Sequence, residues 1–531
     1  MSQGNSVVPP SASPSEAIPH AVTTLTRDRS SAGGAAVVVL VVLAAWVVMR
    51  VVFFQGFCGE DDFHHLRYAL LWDRLPANHW ETRLLYNALL RASLLTMGYS
   101  QASAAVPGLL GSLLLLGSGL GLAWRLWRSP RKMLLAGLLL ACLPIDVIFC
   151  TTPGAKPLAA GLLAVGTLLL LAGRRPRSAV LAGLALAIGI WTHVSMVFPA
   201  VILVGVAWLL ASRPRRQCAL AMCIILAAFV ALEMGTWSLW AGDPLYQIRV
   251  IQKTHIPGMD NPENWRKVWT ADGHVSLPFF WVPLRDLLAS NLFGVLGLVA
   301  MCGGLATWRK RSQEIRVLTL AALLTWAWIS YGTQTPTRYV PFLETAVYWY
   351  PLGLLFVLAA VEVLTAIKPK VLRAAMASCV LGGSVAMISL VGTWGQDVRI
   401  SGELLDQVKA QPSARFVTDG RTFSQMCVLN AFGRLPNVFL PPASPAPLYG
   451  EAHRLSWESS NATVLVLVNR LNDRPDNPTS KWVTAHAGQK VFVSRPRYRA
   501  LAYLLPEGLR DRHAWMVRKP PAEVRRWSDG R

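Results

Sequence analysis

The sequence predicts an all-α polytopic membrane protein of about 11 transmembrane helices, followed by a small C-terminal α/β domain. The chain of 531 residues is 53% hydrophobic and only 15% charged. Several apolar runs reach the roughly 20 residues that an α-helix needs to cross a bilayer. Because these runs have helix length and are uninterrupted, a transmembrane β-barrel is not expected.

The positive charge of the chain agrees with this fold class. The formal net charge is +22, and much of it lies in short basic loops between apolar runs, such as WRSPRK and SRPRR. Cytoplasmic loops of membrane proteins carry this excess of arginine and lysine. Since membrane insertion accounts for these clusters, no nucleic-acid partner is expected. The eight cysteines show no CxxC or other metal-ligand spacing, so no disulfide framework or zinc site is predicted.

The pattern along the chain predicts three regions. Residues 1–33, rich in Ser and Pro, are expected to form a disordered cytoplasmic tail. Residues 34–394 form the transmembrane module, in which the basic loops fall on one side and the long loops 56–100 and 241–286 on the other. An odd number of spans then places the C-terminal domain, 395–531, outside the cytoplasm. We expect the protein in the inner (plasma) membrane of the cell.

An acidic and histidine-rich cluster, CGEDDFHH, occupies residues 58–65 directly after the first apolar run. The apolar spacing that follows predicts a helix lying on the membrane surface. Acids at the N-terminal end of a helix are favoured by its dipole, so helix capping is one interpretation. A metal site is a second, because Asp61 and His65 at i and i+4 share a helix face. Two ligands do not make a site, and no matching cluster follows.

Catalysis is a third interpretation, because this loop resembles the first outer loop of the GT-C superfamily of membrane glycosyltransferases. The similarity is to protein O-mannosyltransferases and to bacterial transferases that attach aminoarabinose to lipid A. Their loop carries Asp-Glu, an aromatic residue at +4 and a small residue at +8. Asp61 matches the first position and Asp62 replaces the Glu. His65 replaces the aromatic, Ala69 keeps the small residue, and Arg83 precedes the second span as in the family.

Three further segments carry the resemblance. LPIDVIFCTTPGAKPL is similar to the end of the third span and its short outer loop; Asp146 keeps the first acid there, whereas Lys156 stands where a second acid is common. AGDPLYQIRVIQKTH, which ends at His255, resembles the start of the long second outer loop. TPTRYVPFLETAVYWYP resembles a late loop in which an Arg-Tyr pair, here Arg338 and Tyr339, enters a span near the lipid phosphate.

The resemblance covers about residues 35–395 and implies a GT-C-like fold and a glycosyltransferase. The enzyme would move a sugar from a polyprenyl-phosphate donor to a glycan, lipid or protein acceptor on the outer face of the membrane. Asp61 is then the expected general base, with Asp62 as second choice or helper. The leaving phosphate needs positive charge, which the fork of an arginine supplies well. The expected phosphate and substrate contacts are Arg83, Lys156, Arg338, Tyr339, His255 and Asp146.

Three points stay open at this level. The basic residues could be snorkelling or interfacial side chains. A divalent cation, Mg²⁺ or Ca²⁺, could assist the reaction, because oxygen-ligand sites leave faint sequence traces. The other functional class is a transporter or flippase of a polyprenyl-linked glycan. Transporters usually place polar residues near the bilayer midplane and show repeats. Here the acids lie in outer loops and no internal repeat is evident, which favours the enzyme.

Overall fold

The computed structural model describes the chain from residue 17 to residue 454, followed by three short strands. Gaps fall at 73, 174–175, 211–212, 255–279, 282–292, 294, 307, 334–345, 392–395, 442–443 and 445, and the strands occupy 464–469, 487–493 and 522–527. Side chains are described from Gly33 onward. The first helix begins at Ala17, within the segment expected to be a disordered tail.

The described residues of the membrane part are mainly helical. In chain order they are α1 (Ala17–Val52), α2 (Glu60–Leu71), α3 (Leu84–Met97), α4 (Gln101–Trp127), α5 (Pro130–Ala141), α6 (Pro144–Phe149), α7 (Ala155–Ala172), α8 (Pro176–Thr192), α9 (Val197–Leu210), α10 (Arg213–Ala241), α11 (Tyr246–Thr254), α12 (Val295–Ala306), α13 (Gln313–Tyr331), α14 (Leu352–Ala366) and α15 (Lys370–Val391). Short 3₁₀ turns occupy Val194–Met196, Trp308–Lys310 and Ala346–Trp349.

Several of these helices have the length and apolar composition of membrane spans. Within the described residues five qualify by length and composition, and five more apolar helices are shorter. The protein is therefore a multi-pass membrane protein, while the predicted number of 11 spans is not confirmed by these helices. The long candidate spans are Gly33–Val52, Gln101–Trp127, Ala155–Ala172, Ala219–Ala241 and Lys370–Ile388.

Glycines bring α4 and α7 into close contact. A Cβ atom added at Gly111 would collide with the backbone of Pro157 and Leu158, and one added at Gly161 would collide with the backbone of Gly111. Small residues at such crossings let two helix backbones approach closely inside a membrane. The packing fixes the start of α7, which carries Lys156, against the helix that follows the first outer loop.

The C-terminal region forms the predicted α/β unit. Among its described residues, two helices, α16 (Gln396–Ala410) and α17 (Gly420–Leu429), accompany six strands. The sheet order is β3-β2-β1-β4-β6-β5, with the first four strands parallel and the last two antiparallel to their neighbours. The strands are β1 (Arg415–Val417), β2 (Val438–Leu440), β3 (His453–Arg454), β4 (Val464–Asn469), β5 (Ala487–Val493) and β6 (Ala522–Trp527).

The α/β unit packs against the helices of the first outer loop. Buried side chains from both regions form one apolar cluster, in which Phe63 of α2 meets Tyr449 edge to face at 6.0 Å between ring centroids. The hydroxyl of Tyr99 donates to the carbonyl of Val428 at 2.6 Å. Because α2 carries the acidic cluster, the C-terminal unit lies on the same side of the protein as the candidate site.

Candidate active site

Two adjacent acids on the first turn of α2 have different surroundings. The carboxylate of Asp62 is buried and accepts a hydrogen bond from the backbone N–H of Cys58 at 2.6 Å. Burial raises the pKa of Asp62 well above its usual range, and the negative charge of Asp61 raises it further. The hydrogen bonds from the backbone N–H groups of Cys58 and Gly59 oppose this rise. An acid at the third position of a helix can cap the helix by accepting a hydrogen bond from the backbone that precedes it. The capping interpretation therefore fits Asp62, while Asp61 is exposed.

Asp61 opens onto a pocket of about 270 Å³ between the first residues of α2 and the start of α7. One wall comes from α2 and the residues just before it, and Arg83 at the start of α3 adds to it. The opposite wall is the turn between α6 and α7, followed by the first residues of α7. The lining residues are Cys58, Gly59, Asp61, Asp62, His65, Arg83, Phe149, Thr152, Pro153, Gly154, Ala155, Lys156 and Pro157.

Arg83 is fixed by side chains of α2 and α3. It directly precedes α3, and its Nη1 lies 2.9 Å from Nε2 of His65. His65 is buried, and its Nδ1 lies 2.8 Å from Oδ1 of Asn87 one turn into α3. Arginine keeps its charge in proteins, so the guanidinium brings a fixed positive charge to the pocket.

Lys156 brings a second cation from the opposite wall. Its Nζ lies 3.9 Å from the ring centroid of Tyr348, a cation–π contact that directs the ammonium group. Lys156 is close enough to Asp61 and Arg83 to interact with both charges. The sequence departure at Lys156 therefore places a basic side chain where the resembled family often has an acid.

Asp146 lies apart from this pocket. It is buried and forms an ion pair with Arg50 of α1, and it accepts hydrogen bonds from Ser112 at 2.6 Å and from Tyr350. Trp46 donates to the same Ser112 hydroxyl at 2.8 Å. An acid inside a membrane bundle is costly unless it is paired. The structure thus puts Asp146 in a cluster that ties α1, α4 and α6 together, rather than among the pocket residues.

The second outer loop reaches the first through α11. The hydroxyl of Tyr246 donates to the carbonyl of Pro76 at 2.8 Å, and the backbone N–H of His79 donates to Oγ1 of Thr254 at 3.2 Å. His255 follows directly and lies outside the described residues, as do Arg338 and Tyr339. The predicted roles of these three residues stay predictions.

The divalent cation that the sequence leaves open stays a prediction. Among the described residues there is no group of three or more His, Cys, Asp or Glu side chains that could hold a metal. Asp61 and Asp62 are the carboxylates among the residues that line the pocket. Mg²⁺ and Ca²⁺ need several oxygen ligands, so further ligands would have to come from elsewhere in the protein or from substrate.

Two residues of the site were not identified from the sequence. Asn87 is a fully buried amide in a largely apolar helix, four residues after Arg83, which places it one turn further along α3. A polar residue on the buried face of such a helix is a usable signal for a specific contact. Tyr348 meets Lys156 only through tertiary packing, so no local pattern indicates it.

No protein-family model and no curated protein sequence matches the chain. Three similar solved structures share its general architecture. ArnT from Cupriavidus metallidurans, bound to undecaprenyl phosphate, is 12% identical with a TM-score of 0.48, over 93% of this chain and 98% of that one. AglB from Archaeoglobus fulgidus, an oligosaccharyltransferase in complex with an inhibitory peptide and a dolichol-phosphate, is 12% identical with a TM-score of 0.46, over 75% and 64%.

The Archaeoglobus fulgidus oligosaccharyltransferase in complex with zinc and sulfate is 11% identical with a TM-score of 0.47, over 85% of this chain and 72% of that one. Because all these TM-scores lie below 0.5, the functional proposal that follows depends on this chain's own residues.

Proposed function

We propose that the protein transfers a sugar from a polyprenyl-phosphate donor to an acceptor hydroxyl on the outer side of the membrane. One observation supports this most: a single pocket joins the exposed carboxylate of Asp61 to two cations, Arg83 and Lys156. The pocket opens where α7, a helix of membrane length, begins. A lipid-linked phosphate bound here would have its charged group in the pocket and its lipid tail in the bilayer.

The two cations suit the leaving group. As the bond between the anomeric carbon and the phosphate oxygen breaks, its electron pair moves onto the phosphate. Fixed positive groups stabilise the charge that develops there. Arg83 offers a planar fork to two phosphate oxygens, and Lys156 acts as a point charge from the opposite wall. Both positions are held before substrate arrives, Arg83 by His65 and Lys156 by Tyr348.

Asp61 suits the role of general base. A carboxylate near the acceptor hydroxyl takes its proton as the oxygen bonds to the anomeric carbon. The carboxylate of Asp61 is exposed to the pocket that Arg83 and Lys156 also line, so an acceptor hydroxyl can reach it. Asp62 is a poorer base because its carboxylate is buried and already accepts the N–H of Cys58. We therefore assign proton abstraction to Asp61 and loop positioning to Asp62.

A transfer assay tests the proposal. The purified protein is mixed with a radiolabelled polyprenyl-phosphate sugar and membrane extract, and label in the acceptor fraction is counted. The variant Asp61→Asn should lower the rate by about 10²- to 10⁴-fold, the usual contribution of a general base. The matched control is Asp406→Asn, the same change at an exposed acid of α16.

Two results would contradict the proposal. Unchanged transfer in Asp61→Asn, with Arg83→Gln also active, would show that this pocket is not the reaction site. Label that crosses vesicle membranes without any new glycosidic bond would instead support a transporter or flippase.

A further inference from the structure

His65 connects two helices through both of its ring nitrogens. Nε2 lies 2.9 Å from Nη1 of Arg83, and Nδ1 lies 2.8 Å from Oδ1 of Asn87. The amide nitrogen of Asn87 donates to the backbone carbonyls of Trp80 at 3.2 Å and Glu81 at 3.1 Å, which turns its oxygen toward His65. Because that oxygen only accepts, Nδ1 of His65 carries the proton and Nε2 presents its lone pair to Arg83.

We propose that His65, oriented by Asn87, is a positioning residue that directs the Arg83 guanidinium toward the donor phosphate, and that only its neutral form does so. This inference rests on the proposed function. Protonation of Nε2 would remove the acceptor and place a second positive charge 2.9 Å from Nη1 of Arg83. Phosphate binding would then depend on the charge of His65 as well as on that of Arg83.

The surroundings of His65 favour its neutral form. Burial lowers the pKa of His65 well below its usual range, the charge of Arg83 adds to this, and the Asn87 hydrogen bond opposes it. The ring of Tyr86 packs edge to face against the imidazole at 4.8 Å between centroids. The titratable or charged groups around His65 are Arg83 and Tyr86 near the start of α3, Lys156 of α7, and Asp61, Asp62 and His64 of α2.

The residue type is informative here. An aromatic ring, which the resembled family carries at this position, fills a similar volume but offers no lone pair to an arginine. Here the buried pair of His65 and Asn87 supplies that acceptor, with each side chain at 1% exposure or less. A buried polar pair with its hydrogen bonds satisfied fixes one geometry more firmly than apolar packing does.

Binding of undecaprenyl phosphate to the purified full-length protein in detergent tests the inference, measured from about pH 3.5 to 8 because the pKa of His65 lies well below the usual imidazole value of 6.5. His65→Phe should weaken binding about tenfold, because it removes an acceptor for a charged donor. His65→Gln keeps a hydrogen-bond acceptor that cannot titrate. This variant should bind undecaprenyl phosphate nearly as well as the wild type, and its affinity should lack the pH dependence that the imidazole causes. The lipid phosphate also titrates in this range, and the difference between wild type and His65→Gln isolates His65.

Asn87→Asp provides the sharpest variant. Its carboxylate still accepts from Nδ1 but stabilises the imidazolium, so the acid side of the binding profile should move to higher pH. A merely structural role for His65 would not produce that shift. If His65→Phe fails to fold, the profile of Asn87→Asp decides.

Two outcomes would overturn the inference: wild-type affinity in His65→Phe, or an unmoved profile in Asn87→Asp. Because binding is measured apart from transfer, the two proposals are distinguishable. If the wild type binds undecaprenyl phosphate in a way that depends on His65 but transfers no sugar, only the proposed function is overturned. Active wild-type transfer with His65→Phe binding normally would overturn only the inference, and a wild type that binds no undecaprenyl phosphate would overturn both.

Discussion

The carboxylate of Asp62 accepts the backbone N–H of Cys58 at 2.6 Å, while its neighbour Asp61 is exposed to the pocket. One side chain thus holds the loop that enters α2, and the other is accessible to substrate. Two acids that are adjacent in sequence have separate tasks because successive positions on a helix point in different directions.

This division gives the first prediction. Asp62→Asn keeps an oxygen that accepts the Cys58 N–H, so the transfer rate should fall by less than about fivefold. Asp62→Leu removes the carboxylate that accepts this partly buried N–H and should cost about 1–3 kcal/mol of unfolding free energy as well as activity. Transfer rates and thermal unfolding of both variants check this. A loss in Asp62→Asn as large as in Asp61→Asn would assign the base to Asp62 instead.

The second prediction concerns Lys156 and the ring beside it. Lys156→Met should weaken donor binding by about 10- to 100-fold, the usual cost of losing a hydrogen bond to a charged group. Tyr348→Leu should weaken it by about 3- to 10-fold through loss of the cation–π contact, whereas Tyr348→Phe keeps that contact. Donor KM values of the three variants provide the measurement. Equal KM values for Tyr348→Leu and Tyr348→Phe would show that the ring does not position Lys156.

The third prediction addresses the ion pair of Arg50 and Asp146. Removing one partner of a buried pair leaves an unpaired charge and costs about 3–5 kcal/mol. Arg50→Met and Asp146→Leu should each lower the midpoint of thermal unfolding, and the double variant should be more stable than the sum of the two losses predicts. A double-mutant cycle in detergent measures this coupling. Strictly additive losses would show that the two side chains do not interact.

The fourth prediction concerns the crossing of α4 and α7. Gly161→Ala puts a methyl group against the backbone of Gly111, so it should cost about 1–3 kcal/mol of unfolding free energy. Gly205→Ala in α9 is the matched control because no heavy atom lies within 4 Å of the added Cβ. Alanine is the better helix former, so the control should be neutral or slightly stabilised. Equal unfolding midpoints for the two variants would contradict the close crossing.

The fifth prediction follows from the lowered pKa of His65. In the unfolded chain the imidazole has its usual pKa of 6.5. Below that value the unfolded chain binds a proton that the native protein does not, so stability falls as the pH falls below 6.5 and is fully retained above it. The raised pKa of Asp62 acts in the opposite sense at acidic pH, because the native protein then binds the extra proton.

Comparison with His65→Gln separates the two effects. As the pH falls below 6.5, the midpoint temperature of thermal unfolding should decrease more in the wild type than in the variant, because only the wild type carries the imidazole. Parallel curves for the two proteins would show that His65 is not neutral and buried in the native state.

The sequence indicated much of the site because its signals are local. Asp61, Asp62 and Arg83 follow from the order of residues in one outer loop, and Lys156 was marked as a departure from the resembled pattern. Asp146 was expected near the substrate, yet its partner Arg50 lies 96 residues earlier, and only tertiary packing brings the two together. The hydrogen bonds of His65 likewise depend on how α2 packs on α3. The number of spans could not be fixed from hydropathy, since several apolar helices are shorter than a bilayer crossing requires.

The central claim is that one pocket holds the lipid phosphate between Arg83 and Lys156, within reach of Asp61. A cryo-electron microscopy structure of the protein with undecaprenyl phosphate tests this most directly. The account predicts phosphate oxygens within about 3 Å of the guanidinium of Arg83 and the ammonium of Lys156, with the Asp61 carboxylate facing the site that the sugar would occupy. A phosphate that contacts neither cation and lies elsewhere on the protein would contradict it.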